Sequence, residues 1–134
     1  MKVLGIDHLG IAVPSLEAAV AAYRALGFTV QSTEDVPTER VRVAFVPAGG
    51  SRLELLEPTD ADSTIARFLQ KRSGLHHVCL LVEDIDAALD ELRAKGVALI
   101  DQTPRPGAGG TRVAFVHPKA AGGVLLELKE KGSL

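Results

Sequence analysis

The chain has 134 residues, 46% of them hydrophobic, a size and composition suited to one compact domain with its own core. Its formal net charge of −2 gives no electrostatic basis for binding nucleic acid or an anionic membrane surface. The single cysteine, Cys79, excludes an intrachain disulfide and a thiolate metal cluster, and no apolar run is long enough to span a bilayer.

The first residues, MKVLGIDHLG, enter a strand-like pattern at once, without the apolar stretch of a secretory signal or the Arg-rich character of a transit peptide. A cytoplasmic protein is therefore expected. Val3 to Val13 reads as a strand stopped by Pro14. Ser15 is placed to cap a helix on which Leu16, Ala19, Val20 and Tyr23 share a face, and Gly27 sits where the helix should end. Phe28–Val36, Arg42–Val46 and Arg52–Leu56 read as strands, the last two parted by Pro47-Ala48-Gly49-Gly50. Ser63 to Lys71 reads as a short helical linker. The order then repeats: a strand at His77–Val82, a helix from Ile85 to Lys95, and strands at Val97–Asp101, Arg112–Val116 and Val124–Lys129.

The repetition extends to the residues themselves. HLGIAVPSLEAAVAAYRALGF from His8 aligns without a gap with HVCLLVEDIDAALDELRAKGV from His77, at an offset of 69. RVAFV at Arg42–Val46 returns at Arg112–Val116 with an offset of 70, and Leu53-Glu54-Leu55 returns at Leu126-Glu127-Leu128 with an offset of 73. The expectation is an α+β fold of two tandem β-α-β-β-β modules in a single domain. Module one covers about residues 3–58, the linker about 59–74 and module two about 75–130. Helix–strand alternation of this kind does not make a doubly wound sheet. Each module instead makes a small curved sheet with one helix outside, and pairing the modules would enclose a cleft.

Each module carries one His near its start and one Glu near its end. Strand alternation puts His8, Gly10 and Ala12 on one face, and likewise His77, Cys79 and Leu81. Arg52, Glu54 and Leu56 share a face, as do Leu125, Glu127 and Lys129. A carboxylate inside an apolar strand such as RLELLEP or GVLLELK needs compensation. Two neutral imidazoles and two carboxylates around a divalent cation supply it, and leave up to two octahedral positions for a chelating substrate. His8, Glu54, His77 and Glu127 are thus the candidate ligands of one divalent ion per chain, for which Co, Mn, Ni and Zn all qualify. His76 is read as structural, His117 as ambiguous and Cys79 as a small packing group.

With the repeat and these four residues in place, the chain resembles the vicinal oxygen chelate (glyoxalase) superfamily, and within it the methylmalonyl-CoA epimerases. The strings carrying the likeness are DHLGIAV, RLELLEP, STIARFLQK, GLHHVCLLV and HPKAAGGVLLEL, which together span nearly the whole chain. The resemblance implies the same four metal ligands and a homodimer. It implies an isomerase that interconverts (R)- and (S)-methylmalonyl-CoA by removing and returning the α-proton through a metal-stabilised enolate. Such chemistry needs a positioned acid/base pair. Many epimerases read V-P-E-x-G-V before the strand matching Val41–Val46, and that Glu is a candidate base. Here the string is Val36-Pro37-Thr38-Glu39-Arg40-Val41, so Glu39 is the candidate, one position later, and Arg40 replaces the Gly. Lys119, in the HPK string, is the candidate contact for the CoA phosphates. Two alternatives stand beside this reading: a glyoxalase I-type lactoylglutathione lyase, and a small-molecule-binding relative without turnover.

Overall fold

The computed structural model describes residues 1–132. Its strands are β1 (Val3–Ala12), β2 (Ser32–Val36), β3 (Val41–Ala48), β4 (Ser51–Pro58), β5 (Gly74–Val82), β6 (Arg105–Pro106), β7 (Arg112–Val116) and β8 (Leu126–Glu130). Its helices are α1 (Leu16–Ala25), α2 (Thr64–Leu69) and α3 (Ile85–Ala94). The described residues form two compact units, His8–His76 and a second made of Met1–Asp7 with the residues from His77 onward. The first seven residues therefore group with the second half of the chain. They are tied there by Lys129 Nζ to Asp7 at 3.2 Å, Lys2 Nζ to Glu83 at 3.0 Å, and the N-terminal ammonium to Glu91.

In the unit His8–His76, the order is β2-β3-β4-β1, with β1 parallel to β4 and the other pairs antiparallel. Alternation along β3 and β4 sends Ala44, Val46, Leu53 and Leu55 to the face covered by α1, where they pack with Val13, Leu16, Ala19, Val20 and Tyr23. The other unit repeats the plan as β5-β8-β7-β6, with β5 parallel to β8. Ala114, Val116 and Leu128 pack there against Ile85, Ala88 and Leu89 of α3. In each unit the helix takes one sheet face, so residues such as His8, Phe45 and Glu54, or His77, Phe115 and Glu127, project from the opposite one.

The helix ends repeat as closely as the strands. Ser15 Oγ accepts from Ala18 N at 3.2 Å, and Asp84 Oδ1 accepts from Ala87 N at 3.0 Å. Phe28 N donates to Tyr23 O while Gly27, at φ 100°, donates to Arg24 O, which is the Schellman pattern. Val97, Leu92, Gly96 and Arg93 do the same after α3. A further carboxylate supports each helix start: Leu16 N donates to Glu57 Oε2 at 2.7 Å, and Ile85 N to Glu130 Oε2 at 3.1 Å.

Three expected strands differ. The strand placed at Phe28–Val36 begins at Ser32, because Phe28 is spent closing α1, its amide on Tyr23 O and its ring 5.6 Å from the Tyr23 ring. Val97–Asp101 forms no strand. Val97 closes α3, Ile100 N and Asp101 N both turn to Phe115 O, and one bridge, Leu99 to Val116, remains. Two successive amides on one carbonyl break the alternation that a ladder requires. The final strand starts at Leu126 rather than Val124, after Gly122 and Gly123 turn through positive φ.

Candidate metal and substrate site

Each unit builds a buried His–Glu pair by the same local geometry. In the parallel pair of β1 and β4, Gly10 lies opposite Glu54. Gly10 has no side chain, so Glu54 reaches past it to His8 two residues back on the same face. His8 Nδ1 lies 3.2 Å from Glu54 Oε2, with the two residues only 4% and 3% exposed. In the pair of β5 and β8, Cys79 lies opposite Glu127. The small Cys79 side chain is fully buried, and His77 Nε2 lies 3.1 Å from Glu127 Oε1. The fully buried Cys79 fits the small packing group expected of it.

The ring across the strand from each carboxylate is a phenylalanine: Phe45 faces Glu54 and Phe115 faces Glu127. Each ring carries a guanidinium, that of Arg52 at 5.4 Å from the Phe45 centroid and that of Arg105 at 5.1 Å from Phe115. Phe115 also meets the His77 ring edge-on at 5.9 Å. Arg52 contacts the ligand candidate itself, with Nε at 2.9 Å and Nη2 at 2.7 Å from Glu54 Oε2. The sequence put Arg52 on the face of Glu54 but gave it no role. Their i, i+2 spacing on one strand is the signal that carries it.

Glu39 sits in the turn between β2 and β3, where Glu39 N donates to Val36 O and Arg40 N to Pro37 O. Its neighbours Thr38 and Arg40 are exposed, whereas Glu39 is half-buried. Arg40 occupies the left-handed region at φ 55°, a conformation that Gly adopts without strain and that residues with a Cβ rarely take. It is held there by Thr59 N donating to its carbonyl, by Asp62 O, and by Asp60 Oδ2 at 3.4 Å. The backbone N–H of Asp62, with Arg40 beside it, holds the Asp60 carboxyl below its ordinary value. The other histidines have local partners. His76 meets Phe68 edge-on at 4.9 Å, and His117 Nδ1 accepts from Lys119 N at 3.1 Å in the turn that starts β8's approach. The Lys119 side chain is exposed.

The imidazole and carboxylate donors of each unit are buried, adjacent and backed by aromatic rings, a donor set suited to a divalent cation. The family model of the glyoxalase/bleomycin resistance protein/dioxygenase superfamily matches residues 7–115. The chain is 43% identical over 128 residues to the mitochondrial methylmalonyl-CoA epimerase of Homo sapiens, covering 93% of this chain and 73% of that one. It belongs to the methylmalonyl-CoA epimerase family of that superfamily. A second family member, the ethylmalonyl-CoA/methylmalonyl-CoA epimerase of Cereibacter sphaeroides, is 43% identical over 129 residues, with 93% and 96% of the two chains covered. A solved methylmalonyl-CoA epimerase in complex with methylmalonyl-CoA and NH4+ superposes with a TM-score of 0.92 at 40% identity, covering 98% and 97%. The α+β fold of β-α-β-β-β modules expected from the repeat, and its glyoxalase type expected from the resemblance, are those of the family.

Proposed function

We propose that the protein is a methylmalonyl-CoA epimerase that interconverts the (R) and (S) forms at C2. The carrying observation is the buried His–Glu pair at repeat-equivalent positions of both units, in a chain alike over nearly its whole length to epimerases. His8, Glu54, His77 and Glu127 are the ligands of one divalent ion per chain in this reading. When bound, such an ion polarises the thioester carbonyl and offsets the negative charge that develops on its oxygen.

The residues supply the proton transfers. Glu39 accepts the C2 proton, and the C–H electron pair delocalises toward the thioester oxygen. A second acid on the opposite face, Glu127 acting from the metal shell or another acid near it, returns a proton to C2. The half-buried side chain of Glu39 between two exposed neighbours supports its assignment despite the one-residue displacement. Lys119, exposed on the turn before β8, is offered as a contact for CoA phosphate. The chain works as a homodimer in the cytoplasm. Among the described residues no helix is long and apolar enough to cross a membrane.

The deciding experiment incubates the metal-loaded protein with (R)-methylmalonyl-CoA in D2O. Exchange at C2 with appearance of the (S) form is expected. Turnover of the glutathione hemithioacetal with no exchange would replace this reading by a glyoxalase I-type lyase, and binding without exchange would leave a non-catalytic relative.

A further inference from the structure

We propose that Arg52 is a positioning and charge-compensating residue that turns Glu54 into an effectively neutral oxygen donor, leaving the metal centre net positive for an anionic chelating substrate. This rests on the metal-site reading above and goes beyond its ligand set. Two guanidinium nitrogens, Nε at 2.9 Å and Nη2 at 2.7 Å, converge on one carboxylate oxygen, Glu54 Oε2. His8 Nδ1 approaches that same oxygen at 3.2 Å. Oε1 is thus the carboxylate's other donor atom. The guanidinium plane is placed by the Phe45 ring, which sits directly across the strand pair from Glu54. Arg52 follows Ser51 at the start of β4, right after the tight Gly49-Gly50 turn, so its backbone is fixed at the β3–β4 hairpin.

The arrangement is not a consequence of the repeat. At the offset of 73 that relates Glu54 to Glu127, the position of Arg52 is occupied by Leu125. The second module therefore has no arginine at the position two residues before its carboxylate. The consequence of Arg52 is electrostatic. Two imidazoles, two carboxylates and a divalent ion sum to zero charge, and a guanidinium clamped on one carboxylate raises the sum to +1. In a low-dielectric site that difference favours a substrate that chelates through a carboxylate and gains further negative charge in the reaction. It also sets a cation against the ion for possession of Glu54, which lowers metal affinity.

The sign of this effect separates it from ordinary support. An outer partner that only orients a ligand weakens metal binding by roughly 10–100-fold when removed. Loss of Arg52 should strengthen it. The test titrates Co2+ into metal-free wild type, Arg52→Met and Arg52→Lys at one fixed pH, with circular dichroism confirming the fold. The loaded proteins are then titrated with malonate as the anionic chelator. Arg52→Met is expected to bind Co2+ about tenfold more tightly and malonate about tenfold more weakly, with Arg52→Lys close to wild type in both. Weaker or unchanged Co2+ binding in Arg52→Met, or unchanged malonate binding, overturns the proposal. Failure of wild type itself to bind Co2+ overturns the metal-site reading instead, and the proposal with it.

Discussion

His8 Nδ1 and Glu54 Oε2 stand 3.2 Å apart, joined by two parallel strands that meet only after the chain has passed through α1, β2 and β3. The same contact recurs between His77 and Glu127 at 3.1 Å. Such buried pairs need either a shared proton or a cation to settle their charge. His8→Ala and Glu127→Ala should each reduce divalent metal binding by at least about 100-fold and abolish epimerisation. Metal analysis of the wild type should find about one ion per chain. Full activity in a thoroughly chelated sample would sink the metal assignment.

Glu57 and Glu130 form a second repeat-related pair whose role is stability. Each closes the last strand of its module and accepts from the first amide of the module's helix. An anionic acceptor at a helix N-terminus adds to the N-cap residue already there. Glu57→Ala and Glu130→Ala should each cost about 1 kcal/mol, read as a lowered urea midpoint, with catalysis per folded molecule unchanged. A midpoint within error of wild type in both variants would remove the capping role.

The repeat made the modules and the four ligand candidates stand out in the sequence, because matching residues at a constant offset sit in like environments, while the caps Ser15 and Gly27 came from local pattern. The offset of 73 also relates Glu57 to Glu130, so these caps were within reach of the same argument. At one pair of equivalent positions the pattern misled in both halves alike. Phe28 and Val97 look like the start of strands by hydrophobicity, yet both amides are consumed by helix closure. The docking of Met1–Asp7 with the second unit was hidden for another reason: it depends on ion pairs such as Asp7 with Lys129, between residues with no shared periodicity. Arg52 was placed on the right face but assigned nothing, since charge on a strand is ordinarily solvated.

Arg40 is the one residue other than glycine at positive φ among the described residues, at 55°. The left-handed conformation is strained for any residue with a Cβ, and here Asp60 and the carbonyl of Asp62 hold the guanidinium. Arg40→Ala keeps the strain and loses the tether, whereas Arg40→Gly loses both. Arg40→Gly should therefore be the more stable of the two by about 1 kcal/mol in urea unfolding. The depressed Asp60 carboxyl adds a sign: its contribution is present above its ordinary value of 3.8 and fades as the pH falls through the lower folded value. The difference in midpoint between wild type and Arg40→Ala should shrink in acid on that account. Equal stability of the Ala and Gly variants would contradict the strain.

Val3, Leu4 and Ile6 are 44%, 43% and 50% exposed along one strand, an apolar stretch that a lone chain gains by covering. A second copy of the chain laid symmetrically over it would cover this stretch in both chains. Multi-angle light scattering should give about twice the 14.1 kDa chain mass at micromolar concentration. A monomer across the micromolar range would exclude the homodimer.

Glu39 carries the sharpest catalytic expectation, since the turn between β2 and β3 places its side chain half-buried while Thr38, at the family's usual position for the acid, is exposed. The turn is fixed by Glu39 N to Val36 O and Arg40 N to Pro37 O, so the displacement by one residue falls in a turn rather than in a ladder, where it would reverse the side chain's face. A base must lie within about 3 Å of the path of the proton it removes, and the glutamine variant retains shape while losing basicity. Glu39→Gln should keep metal binding and KM near wild type while kcat falls by roughly 10²–10⁴-fold. Thr38→Glu combined with Glu39→Gln should recover part of that loss if the turn can present either position. Near wild-type kcat in Glu39→Gln would move the base elsewhere, with Glu127 next in line, and would return Glu39 to the role of a turn carboxylate beside Arg40 and Arg42.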